Sequence, residues 1–507
     1  MRHLFLIFLI LTLISTSSCR KDFGASLNSG KLTFSKDTVY LDTVFTNIGS
    51  STYNLKVYNK SNNAISIPSI KLGRGENSNY RLNVDGTPGK TFENVQILAN
   101  DSIYIFIETT INYNNVTNPI YKDSIIFDSS TQEQYVQLVT LVKDANFLYP
   151  SKNSNGIIET INIGINPNGE PIKINGFYLD NDTTFDNDKP YVIYGYCAVP
   201  ENKTLTIKAG TVIHFHEKSG IIVDKNATLK IEGELGNKVL FEGDRLEPQF
   251  SEVPGQWGAI WLRAGSKNHS INHTLIKNAT IGIIMDSIGS KNTPTLSIKN
   301  TEIYNSSNFG ILGRETNIEG ANLVINNSGQ ASLACIIGGK YNFTHSTFVN
   351  FWNSSLREYP SVLINNYYSF FENGAQIIQT RNLYEANFSN CIIDGGSNIE
   401  LVLDKVEGSL FNYSFKNNLI RFNDFSNDYL TIPEYNFEDN NHFSENILNG
   451  KSDFKSPNTN QLIIGTNSDV IGKADINESL KAPMDILGIL RTSPADMGAY
   501  QHTQFEN

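Results

Sequence analysis

The chain has 507 residues, of which 39% are hydrophobic, 11% aromatic and 18% charged, so it is too long for one ordinary domain and too apolar for a disordered chain. Its abundant Tyr and Phe, with only 4 Met and 16 Pro, favour strands and nearly exclude an all-helical fold. The net charge of −11 lacks the positive footprint of a nucleic-acid-binding protein. We therefore expect an all-β protein of two or more folded units, with no nucleic-acid partner.

The first residues have the pattern of an export signal. Arg2 and His3 precede an apolar run that ends at Ile14, which is too short to cross a bilayer core of about 30 Å as a permanent helix. Small residues follow and lead directly to Cys19. This arrangement resembles the lipobox of bacterial lipoproteins, which implies that residues 1–18 are a signal peptide and that Cys19 carries the lipid. The alternative is an ordinary signal peptide followed by an incidental cysteine.

Three cysteines remain after the signal is removed, namely Cys197, Cys335 and Cys391. Their odd number and wide spacing predict neither a disulfide framework nor a CxxC metal site. We expect them to be buried small hydrophobic residues.

After a tether over residues 19–31, residues 32–143 are predicted to form an antiparallel β-sandwich of immunoglobulin type. Short runs of alternating apolar and polar residues are separated by turn residues in this part of the chain. The predicted strands are Thr38–Phe45, Leu55–Tyr58, Ile65–Ile67, Tyr80–Val84, Ser102–Glu108, Ser124–Phe127 and Tyr135–Val142.

A five-residue phrase recurs further along the chain. It consists of a small or polar residue, any residue, a large apolar residue, any residue and Asn, as in Thr274–Asn278 and Thr301–Asn305. The apolar centres recur about every 24 residues and are Ile276, Ile303, Leu323, Phe348, Phe371, Ile393 and Leu419. Because the apolar runs are too short for helical repeats, they predict stacked short strands, as in a parallel β-helix. The centres should form one inward column, with Ile303 inside and Glu302 outside.

Several phrases make this prediction more specific. Pro190–Gly195, Leu205–Thr211, Gly243–Arg245 and Pro254–Trp257 resemble right-handed parallel β-helix lipoproteins of Gram-negative bacteria, as do the tail segments Asp485–Arg491 and Asp496–Gln501. The resemblance implies a right-handed parallel β-helix of the pectin-lyase type over residues 190–430. A connector over 144–189 would precede it, and a closing segment over 431–507 would follow it. It also implies a protein anchored by lipid in the outer membrane and exposed at the cell surface.

The resemblance leaves catalysis open, because parallel β-helix proteins include polysaccharide lyases and glycoside hydrolases. Such enzymes group acidic or basic side chains of adjacent coils in one groove. The densest charged stretch is Glu242–Glu247. We favour a structural reading, in which Asp244 and Arg245 pair and hold their loop against Trp257.

Other polar candidates also have structural readings. His214 and His216 are predicted to lie on the outward side of one strand, where they could bind a metal only with a further ligand. We interpret them as solvent-exposed histidines. Asp286, Asp394 and Asp404 follow strands at coil corners, where Asp usually bonds its own turn. We therefore assign no catalytic, metal-binding or cofactor-binding residues and no cofactor.

Aromatic residues suggest a carbohydrate-contact surface, although a β-helix core also needs large side chains. The candidates are Trp257, Trp261, Trp352, Tyr359, Tyr367, Tyr368, Phe370 and Phe371. We predict a non-catalytic surface protein that acts in binding or structural display, with a polysaccharide or surface glycan as candidate partner. The alternative is a lyase or hydrolase whose groove holds three or more outward acidic and basic side chains.

Overall fold

The structure is a computed structural model that describes residues 24–28, 30–112, 119–129, 132–286, 292–372 and 374–506. Within these residues the chain is almost entirely β, and its one α-helix, Ile476–Ser479, has four residues. None of the described helices is long and apolar enough to cross a membrane. The predicted signal peptide and Cys19 lie outside the described residues. The chain divides into two compact units, Met1–Asp144 and Ala145–Asn507.

The first unit contains two sheets whose inward residues share one apolar cluster. Strands Thr38–Phe45 and Tyr80–Val84 have the predicted bounds. The larger sheet consists of Ser26–Leu27, Ile65–Leu72, Ile120–Asp128, Glu133–Lys143, Thr38–Phe45 and Thr91–Ile97. The smaller sheet consists of Thr33–Phe34, Tyr53–Tyr58, Ser102–Thr109, Tyr80–Val84 and Thr87–Gly89.

The larger sheet is not purely antiparallel, which differs from the prediction. Glu133–Lys143 pairs in parallel with Thr38–Phe45, and Ser26–Leu27 pairs in parallel with Ile65–Leu72. Strand Thr91–Ile97 was not predicted, because polar residues interrupt its apolar alternation.

The second unit is built from three parallel ladders, in which each strand pairs with strands of the preceding and following repeats. The first ladder contains Asn146–Leu148, Tyr191–Ile193, Val212–Phe215, Val239–Gly243, His269–Lys277, Leu296–Ser306, Ile311–Ser328, Thr347–Asn350, Ile392–Gly395, Leu419–Ile420 and Ile447–Leu448. The second contains Pro171–Tyr178, Tyr196–Val199, Gly220–Val223, Trp257–Leu262, Ala279–Asp286, Ile311–Ser328, Leu333–Thr344, Val362–Asn365 and Leu401–Asp404.

The third ladder contains Thr183–Phe185, Thr204–Lys208, Thr228–Glu232, His269–Lys277, Leu296–Ser306, Ile311–Ser328, Leu333–Thr344, Leu383–Ser389, Ser414–Lys416 and Phe443–Ser444. Long strands belong to two or three ladders because they bend at a corner. Two antiparallel hairpins leave the ladders, Thr160–Ile165 with Pro171–Tyr178 and Tyr367–Glu372 with Ala375–Thr380. A third antiparallel pair, Phe454–Ser456 with Gln461–Ile464, lies near the carboxyl end.

The ladders begin earlier and end later than residues 190–430. The segment 144–189, predicted as a connector, already contributes Asn146–Leu148 to the first ladder and Thr183–Phe185 to the third. At the other end Ile447–Leu448 still pairs with Leu419–Ile420.

A column of buried side chains runs through the first ladder and confirms part of the predicted repeat. Ile276, Ile303, Ile325, Phe348, Ile393 and Ile420 are successive ladder partners and are at most 1% exposed. Leu323 lies two residues before the column position, and Leu419 lies one residue before it, on the opposite side of its strand. The prediction for Phe371 is wrong, because Phe371 lies on a hairpin and is 77% exposed.

The Asn of the recurring phrase has a conformational role. Asn278 and Asn305 of the phrase, and Asn327 two residues after the column residue Ile325, adopt positive φ values of 65°, 57° and 56° at one corner of successive repeats. Asn tolerates this left-handed conformation better than most residues. The amide of Asn305 donates to Asn278 at 3.2 Å, and that of Asn327 donates to Asn305 at 2.7 Å. In these three repeats the Asn therefore forms the corner and also hydrogen-bonds the corresponding Asn of the neighbouring repeat.

The outer side of the first ladder is also covered from Leu275 to Leu419. Its successive partners are Val212, Leu240, Leu275, Glu302, Val324, Thr347, Ile392 and Leu419. Side chains from residues 462–500, including Ile486 and Tyr500, pack on this side in one buried cluster. The carboxyl-terminal segment thus adds a second core outside the ladders.

Candidate functional site

The outward face of the second ladder carries a row of apolar side chains. Its successive partners are Ala198, Ile222, Trp261, Ile284, Leu312, Ala334, Leu363 and Val402. The hairpin of Thr160–Ile165 covers the start of the row, where Ile161 packs with Ala198 and Ile222. Trp261 lies at the edge of this cover and is half-buried.

Beside this row lies a line of alternating acidic and basic side chains. Arg263 Nη1 contacts Asp224 Oδ1 at 2.7 Å, and Arg314 Nη2 contacts Asp286 Oδ1 at 2.5 Å. The indole Nε1 of Trp261 donates to Asp286 Oδ2 at 2.6 Å. Because each carboxylate faces a guanidinium, the line is close to electroneutral, and it fixes the tryptophan ring.

A groove of about 370 Å³ lies on the same ladder as Trp261, which is not itself a lining residue. Its lining includes Tyr196, Gly258, Ile281 and Ile284, and Ile284 is the ladder partner of Trp261. A Cβ added at Gly258 would lie 2.1 Å from Tyr196 Oη, so glycine is needed for the phenol to lie over the backbone. Burial raises the pKa of Tyr196 above the ordinary value.

The polar rim of the groove is formed by Thr280, Glu217 and Lys218. Glu217 and Lys218 form an ion pair of 3.3 Å and are strongly exposed. Apolar walls with a few polar groups at the rim are typical of small-molecule and saccharide sites. The arrangement can stack a sugar ring on an aromatic face and bond its hydroxyls.

Acid catalysis needs an accessible carboxyl whose pKa lies near the working pH. Burial raises the pKa of Glu400, but its side chain is fully buried and forms an ion pair of 2.6 Å with Arg357. Two backbone N–H groups, those of Ser361 and Ser397, also donate to it. Glu400 therefore holds the loop before Ser361 and is closed to substrate.

The two histidines do not share an environment. His214 is fully buried and its Nδ1 lies 3.2 Å from the Gly243 carbonyl oxygen, so the prediction that it is exposed is wrong. His216 is half-exposed, stacks on Tyr194 with 4.5 Å between ring centroids, and bonds Asp244 Oδ2 at 2.7 Å. His216 follows the last buried residue of its strand, Phe215, and it contacts Asp244 in the loop that follows Gly243.

The predicted ion pair between Asp244 and Arg245 is also wrong. Arg245 instead contacts Glu247 at 3.0 Å and lies 3.8 Å from the ring centroid of Phe250. Adjacent residues on an extended chain point to opposite sides, which explains why each finds its own partner. Trp257 does not hold the loop, since it is buried and stacks on Phe215 in the core.

Three aspartates at coil corners bond neighbouring repeats more than their own turns. Asp286 bonds Trp261 and Arg314, as described above, and Asp404 accepts from Tyr367 Oη at 2.6 Å. Asp394 accepts from its neighbouring Gly395 N at 2.7 Å, as expected, but also pairs with Arg421. Only Asp394 therefore fits the turn prediction.

The remaining aromatic candidates are scattered. Trp352 donates to Ser355 Oγ within a loop, and Tyr359 is 37% exposed. Tyr367, Tyr368, Phe370 and Phe371 lie on the second hairpin. The three other cysteines, Cys197, Cys335 and Cys391, are free and buried, which confirms their prediction. No group of three or more His, Cys, Asp or Glu in the described ranges could hold a metal ion.

Comparison with known proteins points to the same part of the chain. Residues 176–292 match the pectate-lyase-like β-helix domain family. This β-helix match contains Trp261, Asp224, Arg263, Asp286 and the groove residues. No curated protein matches the chain.

Two solved structures are similar at low identity. One is the family 123 glycoside hydrolase from Clostridium perfringens, studied for glycolipid glycan hydrolysis, with 12% identity and a TM-score of 0.17. The match covers 22% of this chain and only 25% of that enzyme. The other is the catalytic domain of a GH87 alpha-1,3-glucanase in complex with tetrasaccharides, with 10% identity, a TM-score of 0.12, and coverage of 71% and 90%. These scores are too low to establish a shared activity.

Sequence reasoning named Trp261 but missed Tyr196, Asp224, Arg263 and Arg314. These residues lie on different repeats, and no local motif joins them. Only the ladder register brings them together. The only sequence signal for this register is the repeat, and the spacing of the repeat is irregular in this region.

Proposed function

We propose that this protein binds carbohydrate without catalysis, through the groove and the Trp261 face of the second ladder. The observation that carries the proposal is the position of Trp261, whose ring is fixed by Asp286 and whose ladder partner Ile284 lines the apolar groove. Aromatic rings present large faces at low conformational cost. The paired charges around the ring favour a neutral glycan, because no single sign of charge dominates the line.

A second candidate is a polysaccharide lyase or hydrolase. It is favoured by the line of Asp224, Arg263, Asp286 and Arg314, which groups more than three outward charged side chains on adjacent repeats. The mutual pairing of these groups supports binding over catalysis, since a general acid or base must be released to exchange protons with substrate.

The wider setting of the site is also part of the proposal. The parallel ladders form a right-handed solenoid, because parallel crossover connections are almost always right-handed. The two sheets of the first unit form an immunoglobulin-type sandwich. Cys19 anchors the chain by lipid in the outer membrane, and the protein displays its glycan-contact surface outside the cell.

The test is affinity electrophoresis of the protein through gels that contain a panel of neutral polysaccharides, with product release measured in parallel. Trp261→Ala should weaken retention by about tenfold or more, equivalent to roughly 1.4 kcal/mol. Trp352→Ala is the matched control and should leave retention within about twofold. Retention that is equal in both variants contradicts the proposal.

The enzymatic alternative predicts a different result in the same assay. If the protein releases oligosaccharide products and Asp286→Asn abolishes release while retention persists, the groove is catalytic. Absence of product with retained binding supports the non-catalytic role.

A further inference from the structure

The first unit contains a second groove, separate from the Trp261 face. It has a volume of about 440 Å³ and is lined by Lys31, Thr33, Lys36 and Asp37, among others. Gln134 braces its wall, because its side chain accepts from Leu32 N at 2.7 Å and donates to Leu32 O at 3.1 Å. The bracing holds the backbone between the two lysines in a fixed path.

A third lysine lies next to this groove on the smaller sheet. The backbone N–H of Lys56 donates to Ser35 Oγ at 3.0 Å, which ties its strand to the residue before Lys36. Its ammonium group lies 5.4 Å from the ring centroid of Tyr58 and 5.1 Å from that of Tyr104. These two rings hold the cation in place.

None of the three lysines has a salt-bridge partner within the part of the chain that the structure describes. Asp37 is the one carboxylate among the residues that line the groove. Two of these lysines, Lys31 and Lys36, line the groove, and the ammonium group of the third, Lys56, lies over the rings of Tyr58 and Tyr104 on the adjoining sheet. An excess of one sign in a concave site attracts ligands of the opposite charge.

The sheet continues from the groove as an aromatic strip. Thr33 is the cross-strand partner of Tyr58, and Lys56 is that of Tyr104. Tyr104 and Phe106 are exposed, with ring centroids 6.1 Å apart and planes at 14°. Asn54 and Asn83 are the cross-strand partners of Phe106, one on each side.

We infer that this surface binds an acidic saccharide chain. The sugar carboxylates contact Lys31, Lys36 and Lys56, and the sugar rings lie on Tyr104 and Phe106. Lysines alone would fit a lipid phosphate equally well. A phosphate headgroup, however, has no ring to stack on Tyr104 and Phe106, whereas a sugar ring can stack there and bond the flanking amides of Asn54 and Asn83. The strip therefore favours an acidic glycan as the occupant.

The test measures binding of the full-length protein in detergent to alginate and to uncharged dextran, and, after removal of the detergent, to phosphatidylglycerol vesicles compared with phosphatidylcholine vesicles. We expect binding to alginate that weakens as salt is added, and none of comparable strength to dextran at this surface. The double variant Lys31→Gln/Lys36→Gln and the single variant Tyr104→Ala should each weaken alginate binding by about tenfold. Lys122→Gln, an exposed lysine on the other sheet, should change it by less than about twofold.

Three results would overturn the inference. They are absence of alginate binding, equal loss in the Lys122 control, and loss of vesicle binding in the double variant with alginate binding unchanged. The same measurements on Trp261→Ala separate the two surfaces. If Trp261→Ala loses retention by neutral glycans but still binds alginate, the two surfaces are separate binding sites.

Discussion

Glu302 and Ile303 are neighbours on one strand and face opposite sides of it, yet both are withdrawn from solvent. Ile303 is 1% exposed in the inner column, and the Glu302 side chain is 13% exposed beneath the carboxyl-terminal segment. Glu302 pairs with Lys238 and accepts from Tyr304 Oη at 3.2 Å and from Tyr500 Oη at 3.3 Å. Neither side of this strand is therefore exposed to solvent at these two residues.

Ile303→Asp should be severely destabilising, because it buries a charge in an apolar column. We expect unfolding free energy to fall by several kcal/mol or the variant not to fold, as measured by denaturant titration. Ile303→Val at the same position should cost only about 1 kcal/mol. Tolerance of the aspartate would contradict the column.

Glu302→Lys should also be strongly destabilising, contrary to the expectation from sequence that it is an exposed change. It places a second cation beside Lys238 and removes the acceptor of two buried hydroxyls. Breaking a buried ion pair typically costs about 3–5 kcal/mol. Thermal unfolding of Glu302→Lys should therefore differ clearly from that of Glu319→Lys, whose residue is exposed on a neighbouring repeat.

His216 should make stability depend on pH. Its hydrogen bond to Asp244 raises the pKa of His216 in the folded protein above the ordinary value. The protonated form is therefore favoured by folding, so this contribution is fully present below the unfolded pKa of about 6.5. It is lost as the pH rises through the higher folded pKa.

The check is the melting temperature as a function of pH between 5 and 9 for the protein and for His216→Gln. The difference between the two should shrink as the pH rises. A difference that grows with pH would show that Asp244 does not hold the imidazolium.

Arg357 and Glu400 should behave as a unit. Arg357 is 5% exposed and donates two hydrogen bonds to the fully buried carboxylate, at 2.6 and 2.8 Å. Arg357→Met alone leaves a buried charge and should cost about 3–5 kcal/mol. The double variant Arg357→Met/Glu400→Gln should recover part of this loss, as measured by a double-mutant cycle; strict additivity would argue against the coupling.

Cys19 should carry the lipid. Cys19→Ala should abolish incorporation of a fatty-acid probe and release the protein from the membrane fraction. Cys197→Ala is the matched control, because its thiol is buried and free. Unchanged labelling of Cys19→Ala would leave the ordinary signal peptide as the explanation.

Sequence periodicity located four of the seven predicted centres in the inner column, and it placed Leu323 and Leu419 on the right strands but at the wrong position. Ile276, Ile303 and Phe348 were found because an apolar centre, a following Asn and a short run coincide at each, whereas Ile393 was found from its apolar run alone, which ends at Gly395. Phe371 fits the same phrase but lies on a hairpin, since local pattern does not distinguish a ladder strand from an insertion between two ladder strands.

The candidate site was less accessible to sequence reasoning. Whether a tryptophan is core or surface depends on register, which separates the buried Trp257 from the half-buried Trp261 four residues later. Burial of the outer side, as at Glu302 and His214, depends on distant segments that return to cover it. Strand alternation alone contains no information about such cover.

The hairpin between Phe348 and Ile393 has an implication for how such chains change length. These two residues are direct ladder partners although the hairpin is inserted between the ladder strands Val362–Asn365 and Leu383–Ser389 of the same repeat. The register of the ladders therefore does not depend on the number of residues in a repeat. Lengthening an existing loop adds little closure entropy. Gly374, at the exposed tip with φ +81° and no neighbouring atom within 4 Å of an added Cβ, is therefore a natural point at which foreign sequence, such as an epitope or reporter, could be carried without altering the register on either side.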